Sequence, residues 1–167
     1  AVVEAVARLR AVLGVGVPYQ AMADPTVAAV ARRCDALLAG DRPSPVVTLT
    51  SSGDGAPLFL VHGSGGLAET LHDLADALAG SRPVHGIEPV GDEGIALLGS
   101  VPRTAAAYVA AIESVHPEGP LVVGGHSGGG VIAVEMARQL EQRGRQPQSV
   151  LLLDTVSVGL QLPLRHD

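Results

Sequence analysis

At 167 residues, with 47% hydrophobic and 17% charged residues, the chain has apolar material for one buried core and a small appendage. Its net charge of −6, with no cluster of Lys or Arg, weighs against a nucleic-acid or anionic-membrane surface. No apolar run approaches the ~20 residues of a membrane span, and Phe59, Tyr19 and Tyr108 are too few to build base-stacking platforms.

Residues 1–40 read as helical. Val2, Val3, Val6, Leu9 and Leu13 form one apolar stripe stopped at Gly14. Asp24-Pro25 predicts a helix start, with Asp24 as N-cap and Pro25 at the first helical position. Val27, Val30, Cys34 and Leu37 then make a second stripe, closed by Gly40. Cys34, the only cysteine, has no internal partner and reads as a small apolar helix residue. With no signal-peptide layout at the start, a reducing, cytoplasmic setting is expected. Both ends fall inside or just after regular elements, so the stretch reads as part of something longer.

Residues 41–56 are rich in Pro, Ser, Gly and Asp around the β-type run Val46 to Leu49, and read as a linker with an edge strand. From Pro57 the pattern alternates. Strands are predicted at Leu58–Val61, Val84–Ile87, Leu121–Val123 and Val150–Leu153. Between them fall a helix with Leu67, Leu71, Leu74 and Leu78 on one face, ending at Gly80, and another with Ala105, Tyr108, Val109, Ile112 and Val115. A third helix carries Val131, Met136 and Leu140 and stops at Gly144. Continuous apolar strands separated by helices imply a parallel sheet covered on both faces, an α/β fold. In such sheets the active crevice lies beyond the carboxyl ends of the strands, where Ser64, Ser127 and Asp154 fall.

The chemistry concentrates in Gly125-His126-Ser127-Gly128-Gly129, between the third strand and the helical run Val131 to Arg143. A serine between glycines at a strand-to-helix turn is the layout of a nucleophile elbow. Cβ atoms at the flanking positions would not fit so tight a turn. Ser127 is therefore the candidate nucleophile for acyl transfer. The Gly128 N–H, at a helix N-terminus, is a candidate oxyanion donor. The glycine-rich loop His62-Gly63-Ser64-Gly65-Gly66 offers the Ser64 N–H as the second, although the loop is equally what a plain tight turn looks like. Asp154 ends the fourth strand, where a carboxylate could orient a histidine or merely begin the next turn.

The base is the gap. In the order Ser…Asp…His only His166 follows Asp154, in a terminal tail where a solvated histidine is the expectation. His126 adjoins the nucleophile at a sharp turn, and His62, His72, His85 and His116 read as surface or packing residues. The base is therefore expected to be absent from this stretch. Two other readings stay open. Gly63-x-Gly65-x-x-Ala68 after a strand, with Glu88 20 residues on, fits a loose dinucleotide fingerprint. Alternatively, residues 1–40 could serve a non-catalytic carrier or docking module.

Taken together, Pro83-Val84-His85-Gly86-Ile87, Ala107-Tyr108-Val109-Ala110-Ala111-Ile112, Pro117-Glu118-Gly119-Pro120, Val123 to Gly130, Glu135 to Leu140 and Leu151-Leu152-Leu153-Asp154 resemble the thioesterase domain of modular polyketide and non-ribosomal peptide synthases. Leu13-Gly14-Val15-Gly16-Val17-Pro18 and Asp24 to Val30 resemble the rear half of an acyl or peptidyl carrier domain. The resemblance implies a carrier part at 1–40, a linker at 41–56, and the first part of an α/β-hydrolase-type thioesterase at 57–167, without its lid and late histidine. It implies that the serine matching Ser127 is acylated by a carrier-bound thioester and that the aspartate matching Asp154 orients the histidine. Release would follow by hydrolysis or macrocyclisation, with the carrier domain and upstream synthase modules as partners. The thioesterase itself would need no cofactor and no metal. The carrier's 4′-phosphopantetheine would sit on a serine before Ala1, and the stretch alone is expected to turn over little.

Overall fold

The computed structural model describes residues 2–17, 19–22, 25–40, 44–63, 71–89 and 100–155. Helices α1 (Val2–Leu13) and α2 (Val27–Leu38), with the 3-10 turn Tyr19–Met22 between them, gather a small core of their own. Val6, Val17, Ala21 and Cys34 are its buried members, with Leu9, Leu13, Val30 and Leu37 packed around them. Most of each predicted stripe thus points inward. Val27 does not: it lies in the first turn of α2 and is 87% exposed. The cap also differs from expectation. Thr26, not Asp24, takes the N-cap position, its hydroxyl accepting from the Ala29 N–H at 3.3 Å, and Pro25 lies before the helix. Asp24 itself falls outside the described residues.

Five strands form one sheet: β1 (Val46–Thr50), β2 (Leu58–Val61), β3 (Val84–Ile87), β4 (Val122–His126) and β5 (Val150–Leu153), in the order β1-β3-β2-β4-β5. The last four run parallel, as the apolar runs predict. The first does not: β1 pairs antiparallel with β3, Val46 opposite Ile87 and Thr48 opposite His85. The edge strand expected around Val46 to Leu49 is thus present, and its antiparallel direction is the new feature.

Alternation along β2 explains the two layers. Phe59 and Val61 point to one face, where α4 (Val101–Val115) and α5 (Gly128–Gln142) cover them with Ala105, Val109, Ile112, Ile132, Met136 and Leu140. Leu58 and Leu60 point to the other, under α3 (His72–Leu78) through Leu71 and Ala75. Ser100 caps α4, its hydroxyl accepting from the Arg103 N–H at 3.4 Å, and Pro102 sits in the first turn, where no donor is needed. Fully burying a side chain such as Phe59 contributes on the order of 3 kcal/mol.

Three expectations fail locally. Val115, at the last turn of α4, is 49% exposed, because the helix ends before its face returns to the sheet. The helix after Ser127 starts three residues early, at Gly128. The sheet is not covered on both faces at β5, where Val150 and Leu152 are exposed. Leu67, assigned to the apolar face of the helix ending at Gly80, lies outside the described residues.

β3 lies on one side of β2 and β4 on the other. The chain direction across the sheet thus reverses beside β2, which opens a crevice at the carboxyl ends of β2 and β4.

Candidate active site

Strand β4 runs to His126, and the next residue, Ser127, turns the chain into α5. Ser127 has φ 53° and ψ −122°, a conformation a residue with a Cβ adopts only under strain of about 1–3 kcal/mol. Its backbone fixes it on both sides. Its N–H donates to the Leu153 carbonyl at 2.8 Å, and its own carbonyl accepts from the Gly130 N–H at 3.1 Å. The side chain is half-buried at the mouth of the crevice.

The glycines around it are not equivalent. A Cβ on Gly125 would collide with the backbone of Gly129 and lie 2.6 Å from the Gly130 N. One on Gly129 would collide with the His62 carbonyl and lie 2.6 Å from that of Val61. These two glycines, at two residues either side of Ser127, let α5 rest directly on the ends of β2 and β4. Gly128, expected to be required for the same reason, has open space where a Cβ would go. It is exposed, and as the first residue of α5 its N–H has no acceptor within the helix. That is what an oxyanion donor requires, reinforced by the positive end of a 15-residue helix.

Asp154 stands beside Ser127. His126 and Leu153 are register partners on β4 and β5, so Ser127 and Asp154 each take the first place past adjacent parallel strands. Asp154 also has a positive φ, 47°, and is exposed. These are the two non-glycine residues with positive φ among the described residues. No hydrogen bond joins either side chain to a histidine among the described residues. Ser64, Gly65, Ala68 and His166 lie outside them.

Two histidines near the elbow are occupied with the loop after β2. The His126 ring lies against Gly63, its Nδ1 2.6 Å from where a Cβ on that glycine would be. His62 is only 6% exposed. Its Nδ1 is 2.5 Å from the Gly63 carbonyl and its Nε2 3.1 Å from the Tyr108 hydroxyl. Burial lowers the His62 pKa, partly opposed by the backbone bond to Gly63, so the ring is neutral near neutrality. Burial, and then the charge of Glu88, push Tyr108 upward, so the phenol keeps its proton. Sequence reading placed His62 among packing residues and missed this pairing. The available signal was a histidine directly between an apolar strand and a glycine. Among the described residues no group of three metal-ligating side chains occurs, and no helix is long and apolar enough to cross a membrane.

A central sheet flanked by helices, with a strained serine at the turn from β4 into α5, defines an α/β-hydrolase-type fold. The thioesterase domain model matches residues 56–159, and the chain belongs to that family. It is similar to the nonribosomal peptide synthetase btyA of Aspergillus terreus, 37% identical over 137 residues that make up 80% of this chain and 15% of that protein. Among solved structures it is similar to the four-domain nonribosomal peptide synthetase holo-AB3403, bound to AMP and glycine, with TM-score 0.64 and 25% identity over 99% of this chain and 13% of that one. It is also similar to the NocB thioesterase domain from the nocardicin cluster, with TM-score 0.58 and 32% identity over 68% of this chain and 51% of that one. The chain thus spans about a seventh of the length of its synthetase relatives.

The dinucleotide reading finds no support in these likenesses. Glu88, which would have met a ribose, is 3% exposed and faces Tyr108. A side chain on Gly63 would meet the ring of His126.

Proposed function

We propose that the chain is the releasing part of a polyketide or non-ribosomal peptide synthase, freeing an acyl or peptidyl chain from a carrier-bound thioester. Ser127 Oγ attacks the thioester carbonyl, forming a tetrahedral intermediate whose oxyanion is held by the N–H groups of Gly128 and Ser64. Collapse of the intermediate breaks the C–S bond and releases the carrier thiol, which takes up a proton, leaving the acyl group on Ser127. Water, or a nucleophile within the chain, then attacks the ester and returns the proton to Ser127, giving an acid or a macrocycle. Asp154 orients the histidine that carries these protons.

The observation that carries the reading is the strained Ser127 with the exposed Gly128 beside it at the start of α5. The arrangement of Asp154 one strand over supports the role given to it. Residues 1–40 are read as the rear of a carrier domain, 41–56 as the connection and 57–167 as thioesterase. The separate core of α1 and α2 and the 99% coverage by a synthetase structure support that division. The carrier's 4′-phosphopantetheine and the upstream modules are the partners this reading requires, and they lie outside the residues described.

The test is thioester hydrolysis by the chain and by Ser127→Ala, with and without added imidazole. Wild-type hydrolysis is expected to be slow, because no histidine among the described residues bonds Ser127 or Asp154, which leaves binding and the oxyanion hole to act. Imidazole should accelerate it at least tenfold by supplying a base, and should do nothing for Ser127→Ala beyond its effect in buffer. Equal rates for the two proteins under both conditions would sink the proposal.

A further inference from the structure

Ser127 and Asp154 stand on adjacent turns, and the carboxylate has only its backbone to place it. Asp154 is exposed, and among the described residues no hydrogen bond holds its side chain. Its φ of 47° lies in the left-handed region, which aspartate enters more readily than most residues but not by default. Where the carboxylate stands therefore depends on what anchors the chain on either side of it.

On one side is Leu153. Its carbonyl accepts the Ser127 N–H at 2.8 Å, so the last residue of β5 is tied to the backbone of the nucleophile. On the other side is Thr155, half-buried and seated on α5. A Cβ on Gly130 would collide with Thr155 Oγ1 and lie 2.7 Å from its Cγ2 and 2.8 Å from its Cβ. The threonine thus fills the place a side chain on Gly130 would take. Gly130 in turn donates its N–H to the Ser127 carbonyl at 3.1 Å. The contacts close a ring: Ser127 to Leu153, along the chain through Asp154 to Thr155, across to Gly130, and back to Ser127. Asp154 is the span between two anchors.

Distance decides which part of Thr155 matters. Its hydroxyl is 3.5 Å from the Leu153 carbonyl, at the far limit of a hydrogen bond, and that carbonyl already holds the Ser127 N–H. Its Oγ1 and Cγ2 both press on Gly130. The anchor is the branched shape, not the proton on the oxygen, and valine branches in the same way at Cβ.

We infer that Thr155 is a positioning residue: its branched side chain, seated on Gly130, holds the turn at Asp154 beside the elbow at Ser127 and so sets where the carboxylate stands relative to the nucleophile. This rests on the thioesterase reading for its catalytic consequence and on the packing alone for its structural one. Thr155 touches neither substrate nor the reacting atoms and acts only through Asp154. A misplacement of about 1 Å in a positioned group is enough to cost up to ~10²-fold in rate.

Two measurements on the intact chain test it. The first is amide hydrogen exchange at Ser127, whose N–H makes the bond that joins the two turns. In Thr155→Ala it should exchange about tenfold faster, with the β2–β4 ladder unchanged, whereas Thr155→Val should exchange as the wild type does. The second is Ser127-dependent thioester hydrolysis assisted by imidazole, which can take a place between Asp154 and the serine. Asp154→Ala should lower the assisted rate about tenfold and Thr155→Ala about fivefold, at unchanged thioester KM. Thr155→Val should keep most of the rate. In the Asp154→Ala background, Thr155→Ala should change nothing further, which a general loss of packing would not reproduce. Unchanged exchange in Thr155→Ala overturns the inference, as does a loss that adds in full to that of Asp154→Ala. Equal losses in Thr155→Val and Thr155→Ala would assign the effect to the hydroxyl and overturn the packing argument. An Asp154→Ala chain as fast as wild type would overturn the catalytic half. A wild-type chain without Ser127-dependent hydrolysis would overturn the thioesterase reading instead. Exchange at Ser127 would then decide by itself whether Thr155 ties the two turns.

Discussion

At Ser127, strain and support come from different atoms. The residue is held at positive φ by two backbone bonds, to Leu153 and from Gly130, neither of which uses the hydroxyl. The nucleophile is thus placed by the main chain and left free for chemistry. The glycines divide the same way, into those that carry packing and one that carries access. Gly125→Ala should cost about 2–4 kcal/mol, since its Cβ has only backbone to push against. Gly128→Ala should leave stability unchanged or raise it by up to about 1 kcal/mol, because the position is open and helical, where Ala is favoured over Gly. Urea unfolding of the two variants checks this, and comparable losses would contradict it. The motif made both glycines legible in the sequence but not the difference between them. Gly125 is crowded because Gly129, held against the Val61 and His62 carbonyls at the end of β2, lies over it, a contact set by a strand more than 60 residues away.

Among the elements, α5 shows what periodicity reveals and what it conceals. Met136 and Leu140 are buried, as their spacing predicts, and Gly144 follows the helix end. The early start at Gly128-Gly129-Gly130 was not legible, because three glycines carry no hydrophobic signal and read as a turn. Contact with β2, and with Thr155 against Gly130, is what makes them helical. The half-exposed β5 was hidden for a related reason. A run of Val150-Leu151-Leu152-Leu153 looks the same whether one face is covered or two. The outer face of α5 carries Glu135, which accepts from Arg138 and Gln139. Those bonds, Arg138 first, hold its pKa down at about 2, against an ordinary value of 4.5. A carboxylate depressed in the folded state contributes stability that is complete above pH 4.5 and disappears as the pH falls through about 2. With Arg138 open to solvent, water screens the pair and its contribution is small. Glu135→Gln should therefore be slightly less stable than wild type at pH 6 and equal to it near pH 2. A gap that widens on acidification would contradict the assignment.

For the molecule as a whole, the parallel order of β2 to β5 was readable because the strands are short and apolar and helices fall between them. The antiparallel β1 was not, because its partner is set by the sheet's free edge rather than by anything local. β1 has a consequence for where a working thioesterase can begin. The thioesterase domain model starts at residue 56, whereas the sheet starts at Val46. The β1–β3 ladder, and the Glu88 N–H bond to the Pro45 carbonyl, belong to the ten or so residues in between. A chain begun at residue 56 would open the flank of β3, and with it the strand that receives the His62 N–H through Ile87. Compared with one begun at residue 44, it should be less stable by roughly 3 kcal/mol, at about 1 kcal/mol for each lost backbone bond. It should also self-associate as concentration rises, because a bare strand edge recruits another. Sedimentation and urea unfolding of the two would separate these effects, and identical behaviour would mean that β1 is dispensable. The start of the family model and the start of the sheet differ here: the model marks where the thioesterase pattern becomes recognisable, and β1 marks where the edge of the sheet is completed.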